Sequence, residues 1–144
     1  LQAVLKKFNS ELLTVPFRAL QKPVETKQDF ETRLLQYFED TLDAFVENRY
    51  LLRISCAQNK NLDAIAENQR GFVAFIELAK TKKFVRASLD IEMISGLLMD
   101  RLVSQANNAD TIKAFSGCDI VNDLTYRNRW CKANIDLFLN GALV

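Results

Sequence analysis

Histidine is absent from the 144 residues. Its absence removes the commonest general base, the commonest metal ligand and every Ser-His or Cys-His arrangement. A di-iron bundle built on Glu-x-x-His pairs goes with it. Glycine occurs four times and proline twice. Turns punctuated by these residues must be few, which fits long helices joined by short polar loops. No Gly-rich phosphate loop occurs. No apolar run approaches the roughly 18 residues of a membrane span, and no basic start leads into an apolar stretch as in a secretory signal. Neither sign of charge dominates: the formal net charge is +1, without the basic excess of a nucleic-acid surface. The first residue is Leu1 rather than Met, as expected of a fragment or a processed chain.

What remains is an ordinary globular mixture, 49% hydrophobic and 26% charged. The length fits one domain over residues 1–144. Such a chain buries roughly 70% of its unfolded surface and needs no covalent staple. The cysteines Cys56, Cys118 and Cys131 are odd in number and match no zinc spacing. They read as small buried hydrophobes of a reducing cytosol, so a cytoplasmic location is expected. A redox role would fall first to Cys131, beside Arg129 and Lys132.

Apolar residues recur at three- and four-residue steps, and no segment alternates with period two for long. The expected fold is therefore all-α, a bundle of about six helices. Leu1–Leu20 carries Val4, Leu5, Phe8, Leu12, Val15 and Ala19 on one face, with a kink or an end expected at Pro16. Thr26 and Asp29 can cap a helix whose stripe is Phe30, Leu34, Phe38, Leu42 and Phe45. A shorter helix follows from Tyr50 to Gln58, with Leu51, Leu52 and Ile54 inward. Asn61 can cap a helix from Leu62 to Lys80. Lys80, Lys82, Lys83 and Arg86 make a basic, solvated loop. Ser88 or Asp90 can cap the next helix, which reaches Ala106 with Ile91, Ile94, Leu97, Leu98, Leu102 and Val103 as its apolar positions. A helical turn over Thr111–Phe115 ends at Gly117. The last helix runs from Asn122 to Asn140, with Leu124, Cys131, Ile135, Phe138 and Leu139 apolar and Gly141 as its C-terminal glycine.

Acidic residues are scattered. Glu39, Asp40 and Asp43 come near to clustering but read as a solvated helix surface. No enzyme, metal or cofactor is expected.

Three stretches resemble the C-terminal domain of TetR/AcrR-type transcriptional regulators. The opening Leu1-Gln2-Ala3-Val4-Leu5-Lys6-Lys7-Phe8 is similar to the long helix that follows the family's DNA-binding head. Lys83-Phe84-Val85-Arg86-Ala87-Ser88-Leu89-Asp90, continuing to Gly96-Leu97-Leu98, resembles its penultimate loop and helix. Asn134-Ile135-Asp136-Leu137-Phe138-Leu139-Asn140-Gly141-Ala142-Leu143 resembles its closing helix. The helix-turn-helix head is not in this chain.

The resemblance implies an effector-binding and homodimerisation domain, part of a probable repressor, that reaches operator DNA only through the missing head. Its last two long helices would form a four-helix interface between copies. A small apolar or neutral ligand would sit among the earlier helices. The matching candidates are Phe38, Thr41, Phe45, Gln69, Phe72, Phe75, Met93 and Leu97, aromatic walls with polar groups to orient a ligand. Thr41 and Gln69 are informative because a polar group on an apolar face must find a partner. For the dimer face the candidates are Met99, Val103, Trp130, Asn134, Ile135 and Phe138, with the single tryptophan of a type enriched at interfaces. The competing reading is a helical interaction module without a small-molecule ligand. An enclosed cavity would favour the regulator domain and an exposed apolar groove the module.

Overall fold

The stripe Phe30, Leu34, Phe38, Leu42 and Phe45 becomes the spine of the molecule, every member fully buried. A computed structural model describes residues 2–60 and 62–142. Among them the chain forms seven helices: α1 Gln2–Gln21, α2 Lys27–Glu47, α3 Arg49–Gln58, α4 Asp63–Thr81, α5 Ile91–Asn107, α6 Ala109–Ser116 and α7 Leu124–Ala142. The expected turn over Thr111–Phe115 is thus a full short helix, α6. Helix α2 is central, packing against α1, α5 and α7, while α4 lies against α1 and α5. One contiguous buried cluster draws on all seven helices. None of the described helices is long and apolar enough to cross a membrane.

The helix ends follow local chemistry. Thr26 Oγ1 accepts the Asp29 amide at 3.0 Å and starts α2. Of the two caps expected for α5, Asp90 serves, accepting the Met93 amide at 3.1 Å. Gly117 ends α6 at φ 75°, a left-handed conformation that costs glycine nothing. Asp123 accepts the Tyr126 amide at 3.0 Å at the head of α7. The cap expected of Asn61 lies outside the described residues.

Six placements need correction. Pro16 does not end α1, which continues to Gln21. Gly141 does not end α7 but lies within it. Ile54 points outward, 47% exposed, because the inward face of the one-residue-offset α3 belongs to Leu52 and Ser55. Leu124, at the first turn of α7, is exposed as well, as are Val4 and Val15 on α1.

A buried polar chain joins three helices. Tyr37 of α2 donates its hydroxyl to Asn68 Oδ1 of α4, and Asn68 Nδ2 donates to the Leu12 carbonyl of α1 at 3.1 Å. Burial pushes the Tyr37 phenol well above its ordinary range, against a smaller downward pull from the Thr41 hydroxyl, so the phenol stays protonated and keeps its role as donor. At the other side Arg127 of α7 is buried and donates to Ile120 O at 2.8 Å, Val121 O at 2.7 Å and Asp43 Oδ1 of α2 at 2.9 Å. It fastens the entry of α7 to the central helix.

Candidate functional site

Helix α5 carries more apolar side chains than one face can bury. Ile91, Ser95, Leu98, Met99, Leu102 and Ala106 turn into the core. Ile94, Leu97, Leu98 and Arg101 form a second row at i, i+3, i+4 and i+7, one side of a helix. Helix α7 repeats the spacing with Asn134, Leu137, Phe138 and Gly141. The two rows, with Arg86 and Leu89 from the segment entering α5, line a single cleft of about 260 Å³.

The cleft is apolar along its length and open to solvent. Leu97 is 56% exposed and Leu137 68%. Met93, one turn before Leu97 on the same helix, is 64% exposed. Leucines and methionines held in water at this density mark a surface that meets something.

One end of the cleft is polar and ordered. Arg101 donates from Nε to Asn134 Oδ1, bridging α5 to α7. Asn134 in turn donates from Nδ2 to Trp130 O at 2.8 Å. Trp130 stacks on Phe38 of α2, ring centres 5.8 Å apart. The position of the Arg101 guanidinium is therefore set by a chain of contacts reaching the core. Among the described residues no aspartate or glutamate lines the cleft.

The candidates for an internal ligand site are placed differently. Phe38, Thr41, Phe45, Phe72 and Phe75 are all buried. Phe72 stacks on Tyr37 at 4.9 Å, and Phe75 lies 5.4 Å from Phe30. Aromatic contact of this kind fills space in the core. The Thr41 hydroxyl is buried beside the Tyr37 phenol and makes no well-formed hydrogen bond among the described residues. Gln69 is half-buried and lines a shallow depression between α4 and the start of α5, with Ala66, Arg70, Val73 and Glu92. Met93 and Leu97 face solvent. Of the whole set, only Leu97 borders the cleft.

The candidates for the dimer face divide as well. Met99, Asn134, Ile135 and Phe138 are buried within the chain, while Val103 and Trp130 are half-buried against its core. Asn134 and Phe138 also form the floor of the cleft. The large apolar side chains that stand out from α5 and α7 are Met93, Leu97, Leu124 and Leu137, of which Leu97 and Leu137 border the cleft. Leu137 carried a signal in the sequence, an apolar residue between the buried Ile135 and Phe138 that no inward stripe accounts for.

The remaining chemistry is muted. Burial raises the Glu39 carboxyl, with Asp43 and Asp40 adding to the effect. Burial raises Asp40 also, opposed by its hydrogen bond from Gln36. Asp43 is held by Arg127. Burial pushes the Cys131 thiol up to about 12, and the nearby Glu39 and Asp43 carboxylates reinforce it. A thiol so protonated is a poor nucleophile, so the electropositive setting suggested by Arg129 and Lys132 does not reach it. Among the described residues no group of His, Cys, Asp or Glu is placed to hold a metal ion.

Compared with protein-family models, with curated proteins and with solved structures, the chain finds no match.

Proposed function

We propose that this chain is the effector-binding and dimerisation domain of a TetR/AcrR-type transcriptional regulator, and that two copies meet across the exposed side of α5 and α7. One observation carries the reading. The last two long helices, those the family resemblance assigns to a four-helix interface, flank one open cleft and expose Met93, Leu97 and Leu137 to water. Two such faces brought together about a two-fold axis remove the exposed leucines from solvent on both copies.

Regulation would then be a shift between dimer geometries. DNA-binding heads joined to α1 must sit about 34–36 Å apart to enter successive major grooves. An effector that prefers a differently spaced dimer lowers DNA affinity by its differential binding to the two states.

Light scattering tests the dimer. The expected mass is twice 16.5 kDa. Leu137→Glu should give a monomer with an unchanged helical spectrum, because the side chain is exposed and contributes little to the chain's own core. A wild-type monomer at tens of micromolar overturns the reading.

A second reading has its own observation. The aromatic residues expected to wall an internal pocket are packed as core, and the apolar cleft between α5 and α7 is an open groove. This favours an interaction module in which another protein's helix fills the α5–α7 cleft. A chain that is monomeric alone but binds an amphipathic helix, and loses that binding in Leu137→Glu, would select it.

A further inference from the structure

We propose that the α5–α7 cleft binds a small amphiphile with a single anionic head, its tail along Ile94, Leu98 and Phe138 and its head against Arg101. The inference builds on the effector-binding half of the reading above, but it rests on the cleft itself.

The cleft has the two parts such a ligand needs. Its floor is apolar over the stretch from Ile94 to Arg101, which spans about 10 Å along the α5 axis. Its end is cationic. Arg101 uses only Nε in binding Asn134, and among the described residues its two terminal nitrogens have no partner. A planar guanidinium with both terminal nitrogens free suits a carboxylate, which can take two parallel hydrogen bonds. Arg86, at the end where α5 begins, adds a second positive charge and likewise has no described partner. Among the described residues no carboxylate lines the cleft to neutralise either one.

Position also matters. The bond to Asn134, itself anchored on Trp130 O, holds the Arg101 guanidinium over the cleft instead of letting it swing into solvent. A preorganised cation binds at lower entropic cost than a mobile one. A neutral ligand of the same length would gain the apolar contact and forgo the ion pair.

The test is calorimetric titration of the full chain with decanoate and with decanol at neutral pH, beside a measurement of solution mass in the same samples. Decanoate should bind at least about tenfold more tightly than decanol, the worth of one charge-assisted hydrogen bond. Arg101→Gln should erase that difference by weakening decanoate far more than decanol. Arg101 is exposed, so the variant should fold as the wild type does, and its melting curve checks this. Equal affinity for the two probes, or no saturable binding of decanoate, overturns the inference. A dimer that ignores decanoate overturns this proposal and leaves the dimerisation reading standing. A monomer that binds decanoate in an Arg101-dependent way upholds this proposal and overturns the dimer.

Discussion

Asn68 supplies the hydrogen bond that Pro16 cannot. In α1 the carbonyl of Leu12 would normally receive the amide of residue 16, but proline has none. Asn68 Nδ2 reaches across from α4 to that carbonyl at 3.1 Å, and Tyr37 holds the other end of the same amide. The helix therefore passes through Pro16 to Gln21 with the Leu12 carbonyl satisfied.

Removing Asn68 should be expensive for this reason. Asn68→Ala leaves the Leu12 carbonyl and the Tyr37 hydroxyl buried without partners, a loss of about 2–4 kcal/mol. In a Pro16→Ala background the restored amide serves Leu12, and the same Asn68 substitution should cost about 1 kcal/mol less. Urea denaturation of the four-member cycle reads the coupling; additive effects would refute the pairing.

Gly71 sits one turn beyond Asn68 on α4. A Cβ there would fall 2.7 Å from Phe17 Cε1 and 2.8 Å from Cζ, ring atoms of α1. Gly71→Ala should therefore destabilise the wild type, although alanine favours a helix by about 1 kcal/mol. With Phe17→Ala in place the clash is gone, and the substitution should stabilise by about that amount. Paired thermal melts decide the sign.

Asp119 gives a prediction in pH. Its carboxylate accepts from the Asn122 side chain and amide, and Lys113 stands 3.2 Å away. These contacts, the Asn122 hydrogen bonds foremost, hold its pKa at about 2, below the ordinary 3.8. The folded state thus favours the ionised form. The stabilisation is complete above the ordinary value and is lost as pH falls from about 4 to about 2. Asp119→Asn should be less stable than wild type at neutral pH, and the two should converge in acid. Parallel melting curves across that range would refute the assignment.

Cysteine labelling separates buried from accessible thiols. Cys56 and Cys118 are half-buried, while Cys131 is buried with its thiol pushed up to about 12. In native buffer Cys131 should resist an aromatic disulfide reagent and react only after denaturation. Rapid native labelling at Cys131 by peptide mapping would contradict its placement.

These tests also mark where the sequence was legible. The α2 stripe, the Thr26 and Asp90 caps and the Gly117 stop are local signals, written within a few residues of where they act, and they appear where local chemistry puts them. Pro16 also looked local but was not. Its rescue comes from Asn68, which is distant in sequence, and no pattern around Pro16 contains it. Leu97 and Leu137 belong to a second kind of failure. Periodicity assigns an apolar residue to a helix face but cannot say whether that face meets the core or water. The cleft exists only because α5 and α7 are brought together, a fact of tertiary packing.

One consequence concerns how the molecule comes apart. Helix α7 leans chiefly on α2, and its entry is fastened by the single side chain of Arg127. The other long helices close a ring of contacts, α1 and α5 each packing on both α2 and α4. The molecule is thus a bundle with a detachable stave. In amide exchange α7 should open as one cooperative unit at lower free energy than α2 or α4, and whatever settles along the α5–α7 cleft acts as the binding that keeps the stave in place.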